Sequence, residues 1–328
     1  MDILVKPINK AISVSSNSTL LDAFITNEVP ISYSCMSGRC GTCRCKVVEG
    51  EVTGPSAADG RLARQGQFVL ACQSHIESDC IIEIPEPDEI IIYPTKTLKA
   101  TVTHYESLSF DVRRLRLKTN KPFDYAPGQF VNLTFWREDG TRSYSMAGVR
   151  KDNELEFHIR VVPDGRVTSR LDETLKVGSS VKLNGPLGAS YLRTTHEGPM
   201  LCVATGTGLA PVLSIIRGAL ESGMPNPIHL LFGARTQADL YGIDLLEQLS
   251  SGYENFEYTL TLDHTTESKG YFRGLVTDAI TELFPDLRDW RIYLAGAPAM
   301  VEAASIACTL RQANIEHIYA DAFYPSGV

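Results

Sequence analysis

Residues 1–92 show short apolar runs broken by polar turns. Ile3-Leu4-Val5 reads as a strand and Leu20–Thr26 as a short helix; Cys45–Val48 and Ile81-Ile82-Glu83-Ile84 read as further strands. A linker rich in proline and acid follows, Pro85-Glu86-Pro87-Asp88-Glu89. Residues 96–195 read as all-β, with candidate strands Leu98–Tyr105, Val112–Leu117, Phe130–Phe135, Leu155–Val161 and Ser180–Gly185. Turn signals such as Ala126-Pro127-Gly128 and Pro163-Asp164-Gly165 punctuate them, which predicts a small antiparallel barrel. In residues 196–328 the strands Met200–Ala204, Ile228–Phe232, Tyr258–Leu262 and Ile292–Ala295 alternate with helices Pro211–Glu221, Gly242–Leu249, Leu275–Leu283 and Ala299–Ala313. That alternation predicts a parallel sheet with crossover helices. The expected fold class is therefore multidomain, α+β then α/β, divided at 1–92, 96–195 and 196–328.

Composition supports several cores. The chain has 328 residues, of which 43% are hydrophobic and 21% charged. The net charge of −8 argues against non-specific nucleic-acid binding. Residues 1–92 hold seven Lys/Arg and twelve Asp/Glu, so they carry −5 of that charge. The longest uncharged stretch, 198–216, contains Gly198, Pro199, Gly206, Gly208 and Pro211, which excludes a regular membrane helix. MDILVKPINK is neither a signal peptide nor an Arg-rich transit sequence, so a cytoplasmic protein without membrane association is expected. Eight cysteines in such a chain, four of them within 35–45, point to metal or redox chemistry rather than to disulfides.

Cys35, Cys40 and Cys43 are separated by four and two residues, and Cys72 lies further on. This is the plant-type [2Fe–2S] spacing. Gly38 and Gly41 let the loop fold tightly and aim backbone N–H groups at the sulfurs. A tetrahedral zinc site usually presents two short C-x2-C knuckles, which this run does not. Cys45 and Cys80 fall outside the spacing and read as buried free thiols.

Two further patterns carry cofactor chemistry. Arg142-Ser143-Tyr144-Ser145 ends a barrel strand: Arg pairs with phosphate, Tyr stacks on a flat ring, and Ser hydroxyls bond ring nitrogens. Its place after Pro127-Gly128-Gln129-Phe130 and before His158-Ile159-Arg160 and Gly165-Arg166-Val167-Thr168 strengthens a flavin reading over an ordinary strand with a surface arginine. Ala204-Thr205-Gly206-Thr207-Gly208-Leu209-Ala210-Pro211 is strand, glycine turn and helix start, suited to a pyrophosphate at a helix N-terminus. Gly296-Ala297-Pro298-Ala299-Met300 repeats the arrangement on a second strand. Arg235 stands after the second strand, near the expected adenosine ribose; it reads as a 2′-phosphate contact or as an ordinary surface arginine.

These motifs, in this order, resemble the reductase components of bacterial aromatic-ring oxygenases, essentially end to end. Ile31-Ser32-Tyr33-Ser34, Gly185-Pro186-Leu187-Gly188 and the tail Tyr319-Ala320-Asp321-Ala322-Phe323-Tyr324 share the likeness. The resemblance implies an N-terminal β-grasp plant-type ferredoxin, an antiparallel FAD-binding β-barrel and a C-terminal parallel-sheet NAD-binding domain. It implies Arg142 at the flavin phosphates, Tyr144 on the isoalloxazine, Ser145 near its reactive nitrogen, and Phe323 against the ring. Gly206, Thr207 and Gly208 would line the nicotinamide nucleotide. Two departures stand out: Ala295 where many relatives in the wider superfamily have cysteine, and Thr205 where glycine is common.

The expected activity is NAD(P)H-dependent electron transfer through FAD to the cluster, with NADH the donor and NADPH possible, and without a dedicated catalytic side chain. The expected acceptor is a ferredoxin or a terminal oxygenase, served by a monomeric reductase. A reductase for a diiron monooxygenase or for sugar deoxygenation shares the module order. A non-catalytic redox sensor is the reading from another class.

Overall fold

The computed structural model describes residues 1–14, 18–31, 33, 38, 43–54, 66–85, 93–136, 140–163, 165–264 and 270–324. The chain separates into two compact units, Met1–Ile90 and Ile91–Val328. Among the described residues no helix is long and apolar enough to cross a membrane.

The first unit is a β-grasp. Strands β1 (Asp2–Lys6), β2 (Lys10–Ser13), β3 (Arg44–Glu49), β5 (Phe68–Leu70) and β7 (Cys80–Glu83) form one sheet in the order β2-β1-β7-β3-β5, while β4 (Val52–Thr53) pairs with β6 (His75–Ile76). β1 and β7 run parallel; the remaining ladders of the larger sheet are antiparallel. Helix α1 spans Leu20–Thr26 as the sequence predicts. Its start is set by a capping box: Thr19 Oγ1 accepts from the Asp22 amide, and the Asp22 carboxylate accepts from the Thr19 amide. Leu20, Leu21 and Phe24 are at most 1% exposed, each worth about 1.5–3 kcal/mol of apolar burial.

The second unit holds two sheets. Strands β8 (Lys96–Ser107), β9 (Val112–Thr119), β10 (Phe130–Thr134), β11 (Thr141–Ser145), β12 (Leu155–Arg160) and β13 (Ser180–Leu187) form an antiparallel barrel in the order β11-β10-β13-β8-β9-β12. A bridge between Met146 and Phe157 joins its two edges. Val131, Leu133, Leu115, Phe157 and Val181 fill the interior. A short helix α2 (Leu171–Thr174) follows the turn after β12.

Strands β14 (Met200–Thr205), β15 (Ile228–Ala234), β16 (Phe256–Leu262), β17 (Phe272–Arg273), β18 (Arg291–Gly296) and β19 (Ile318–Ala322) form a fully parallel sheet ordered β17-β16-β15-β14-β18-β19. Successive residues of β14 point to opposite faces, Met200 and Cys202 into one core, Leu201 and Val203 into the other. Helices α3 (Leu209–Glu221) and α4 (Ile243–Gly252) cover the first face; α5 (Val276–Leu283) and α6 (Pro298–Leu310) cover the second. The order in which strands are added reverses between β14 and β18, which makes their C-terminal ends the switch point where such sheets bind nucleotides. Helix α3 starts at Leu209, two residues before the expected Pro211. A prolyl nitrogen in the first turn needs no intrahelical partner, so Pro211 does not mark the boundary.

Candidate functional site

Cys43 immediately precedes β3, and Cys72 lies in the turn Ala71–Gln73 after β5. The β3–β5 ladder draws them together: the Ala71 amide donates to the Cys43 carbonyl at 2.9 Å, and the Cys72 amide donates to Cys43 Sγ at 3.5 Å. Both side chains are buried. Gly38 has φ +78°, and a Cβ there would lie 2.7 Å from Gln73 Cγ, so glycine lets this position lie against the turn that carries Cys72. A backbone N–H already aimed at a thiolate sulfur suits an iron–sulfur cluster. Cys35 and Cys40 lie outside the described residues. Burial pushes the Cys45 thiol up to about 12 and Cys80 to about 11, which keeps both protonated and unreactive.

In the barrel, Arg142, Ser143, Tyr144 and Ser145 form the end of β11, as the sequence predicts. Arg142 Nη1 donates to the Thr141 carbonyl, and Ser143 Oγ to Asn132 Oδ1 at 2.7 Å. Tyr144 stands edge-on to Phe135, 6.0 Å between centroids. Its hydroxyl is buried without a hydrogen-bond partner, and burial holds it neutral. Such an orphan costs about 1–3 kcal/mol, which a polar atom of a flavin seated there offsets. Ser145 Oγ donates to Asp321 Oδ2 at 3.0 Å, tying β11 to the end of β19.

Along β12 the side chains divide. Ile159 is fully buried in the barrel, as is Val167 of the following turn, so neither side chain reaches a ligand outside it. Gly165 and Thr168 form that turn tightly: Thr168 Oγ1 accepts from the Val162 amide at 3.0 Å, and a Cβ on Gly165 would lie 2.9 Å from it. Arg166 is exposed. Arg160 bonds Asp111 at 2.6 Å, and its Nη1 lies 3.7 Å from where a Cβ on Gly206 would stand. Tyr241 covers the His158 side chain on that face of β12, and both ring nitrogens are engaged, with Tyr241 and Glu156.

The two glycine turns meet at the switch point. After β14, Gly206–Gly208 forms a single tight turn leading into α3, with φ +54° at Gly206. A Cβ on Gly208 would stand 2.1 Å from the Ala295 carbonyl oxygen, which only glycine allows. Thr207 sits between them. Gly296 has φ +138°, Ala297 caps α6, Pro298 is its first residue, and Met300 Cε lies 3.1 Å from a Gly296 Cβ position. Thr205 tightens this corner: its Oγ1 is 2.6 Å from the Gly296 position, its methyl 3.1 Å from that of Gly233. The Thr205 hydroxyl is buried without a hydrogen-bond partner, a second orphaned polar atom beside the turns. The Phe323 amide donates to the Gly296 carbonyl at 2.8 Å, fixing the tail beside the turn. Arg235 is exposed just beyond β15.

Asp321, Tyr241 and Asp111 belong to this site and carried no assigned role in the sequence. Asp321 lies in the tail that signalled the family likeness; its contact with Ser145 spans 176 residues and leaves no local pattern.

Three family descriptions match successive parts of the chain: a 2Fe-2S iron-sulfur cluster binding domain over 3–77, an oxidoreductase FAD-binding domain over 99–191, and an oxidoreductase NAD-binding domain over 202–305. The chain is 50% identical, over 100% of both sequences, to the ferredoxin--NAD(P)(+) reductase component of the naphthalene 1,2-dioxygenase/salicylate 5-hydroxylase systems of Ralstonia sp.. The chain belongs to the reductase components of oxygenase systems. The reductase is also 49% identical, again over 100% of both, to the corresponding naphthalene 1,2-dioxygenase component of Pseudomonas putida. Among solved structures it is similar to an Amycolatopsis cytochrome P450 reductase, at TM-score 0.75, 30% identity and 99% coverage of both chains. A ferredoxin reductase in carbazole 1,9a-dioxygenase gives TM-score 0.69 at 28% identity and 98% coverage of both. The reductase is an NAD(P)H-dependent oxidoreductase with [2Fe–2S], FAD and NAD-binding domains, and the orphaned Tyr144 and Thr205 hydroxyls and the glycine turns fit those groups.

Proposed function

We propose that this reductase takes electrons from NAD(P)H and delivers them to a ferredoxin or terminal oxygenase of an aromatic-ring-hydroxylating dioxygenase system. The observation that carries it is one junction. Ser145 on Asp321, and Phe323 on Gly296, bring the flavin strand, the C-terminal tail and the nicotinamide turns to one sheet edge. Bound FAD would supply the conversion of a two-electron hydride donor's electrons into the single electrons that a [2Fe–2S] cluster takes. The protein's part is to hold and orient. Arg142 serves the flavin phosphates; Tyr144 and Ser145 serve the ring; the backbone of Ile159, Gly165, Val167 and Thr168, with Arg160 and Arg166, completes the barrel side. Gly206, Thr207, Gly208, Gly296, Ala297, Pro298 and Met300 form the nucleotide crevice, with Phe323 as its wall and Arg235 at the adenosine end. Cys35, Cys40, Cys43 and Cys72 hold the cluster in a domain we place at 1–92, with the others at 96–195 and 196–328.

We assign the chain to the cytoplasm, as a monomer. Relatives named for propane and phenol 2-monooxygenases stand at 31% and 32% identity, against 50% for the naphthalene and salicylate system, which favours the dioxygenase reading. The test compares two acceptors. Cys72→Ser should abolish cytochrome c reduction yet keep NADH-driven ferricyanide reduction, because ferricyanide takes electrons from flavin. If cytochrome c reduction survives unchanged, the cluster is not on the path.

A further inference from the structure

Glu156, His158 and Arg160 alternate with Leu155, Phe157 and Ile159, so polar side chains stand on the outer face of β12 while apolar ones fill the barrel. His158 is nonetheless only 6% exposed. Tyr241, from the segment between β15 and α4, covers it edge-on with ring centroids 5.3 Å apart, and stands edge-on to Phe232 at 5.9 Å. The Tyr241 hydroxyl lies 3.1 Å from His158 Nδ1 and 3.3 Å from the Gly206 carbonyl oxygen. Glu156 Oε1, 3.2 Å from Nε2, selects the tautomer with the proton on Nε2, which leaves Nδ1 as an acceptor. The single Tyr241 proton is therefore shared between one acceptor on the barrel and one on the nucleotide turn.

Burying an imidazole and a phenol hydroxyl costs free energy that apolar residues in their place would not. Here the cost secures a connection. Gly208 is pinned against the Ala295 carbonyl on the sheet side of the turn. Tyr241 meets the turn at Gly206, where φ is +54°. We propose that Tyr241 and His158 are positioning residues, through which the flavin-binding barrel sets the place of the nicotinamide turn. This rests on reading Gly206–Gly208 as the nucleotide turn. Neither residue is catalytic; both act through the Gly206 carbonyl. Their importance follows from the steepness of hydride transfer with distance, where misplacement by about 1 Å costs about 100-fold.

The test uses the full-length holoprotein. Tyr241→Phe keeps the ring and its packing and removes only the hydroxyl. Amide hydrogen exchange across Thr205–Leu209 should then quicken about fivefold, and the Kd for NAD+ should rise about three- to tenfold, the scale of one buried hydrogen bond. Flavin and iron content should stay at wild-type levels. His158→Asn sets an amide oxygen where Nδ1 stood, so exchange should stay within about twofold of wild type. The proposal is overturned if Tyr241→Phe leaves both exchange and affinity within about twofold, or if His158→Asn loosens the turn as much as Tyr241→Phe does. Should His158→Asn fail to accumulate, Tyr241→Phe decides alone. A wild-type protein that binds no NAD+ would sink the nucleotide reading, while exchange would still report whether Tyr241 holds the turn.

Discussion

At Glu156, burial and charge compete over one carboxyl. Burial opposes its ionisation, but the His158 hydrogen bond and the Arg116 and Arg114 guanidiniums, at 2.8 and 3.5 Å, outweigh it and hold the group at about 2. The unfolded value is near 4.5, so the unfolded chain takes up the proton first as pH falls. The stabilisation, on the order of 2 kcal/mol after solvent screening, is full above about pH 5 and is lost toward pH 2. Thermal midpoints should show wild type ahead of Glu156→Gln near neutral pH, with the gap closing on acidification; a constant gap would refute this. Arg235 offers a second prediction. Exposed beyond β15, it should favour a 2′-phosphate, so Arg235→Ala should lower kcat/KM for NADPH about 5- to 50-fold and leave NADH nearly unchanged. An unaltered nucleotide preference would remove Arg235 from the site. Residue identities were legible here, but residue environments were not. The alternation around His158 marks a strand with one polar face; that this face is buried depends on Tyr241, 83 residues away.

The short helix expected around Leu20–Thr26 is α1, and the structure adds what fixes its start, the Thr19 and Asp22 capping box. The strands β2, β5 and β17, with four, three and two residues, are too short to show a period, and β19 hides in a mixed tail. Helix α1 also bears on the cluster, since the Leu20 amide donates to the Ser74 carbonyl at 2.7 Å, just past the turn that carries Cys72. Thr19→Ala removes the cap and should cost about 1 kcal/mol, enough to raise local opening about fivefold. Bleaching of the cluster absorbance in the presence of a chelator should accelerate by a similar factor. An unchanged bleaching rate, with the helix demonstrably weakened, would mean that α1 does not guard Cys72.

At the scale of the whole molecule, the joint between barrel and parallel sheet explains why they share one unit. Arg217 donates through both terminal nitrogens to Asp152 at 2.9 Å each, and Ser214 Oγ donates to the Gly148 carbonyl at 2.6 Å while accepting from the Gly128 amide at 3.3 Å. Domain order was legible from motifs, but this joint, built from scattered polar residues, was not. Charge was legible too, and it sets the last prediction. Residues 1–92 carry −5 of the total −8, so the excess acid lies in the part that holds the 2Fe-2S binding domain. An acceptor that docks there with a basic surface is drawn in by a field that salt screens: the Debye length falls from about 10 Å at 0.1 M to about 3 Å at 1 M. Electron delivery to the protein acceptor should therefore slow about tenfold or more across that range. Ferricyanide is itself an anion and takes electrons from flavin, so its reduction should not fall in parallel; salt should leave it constant or raise it. Parallel decline of both rates would place the salt effect on the nucleotide or flavin steps, and a flat rate with the protein acceptor would show that docking does not depend on this charge.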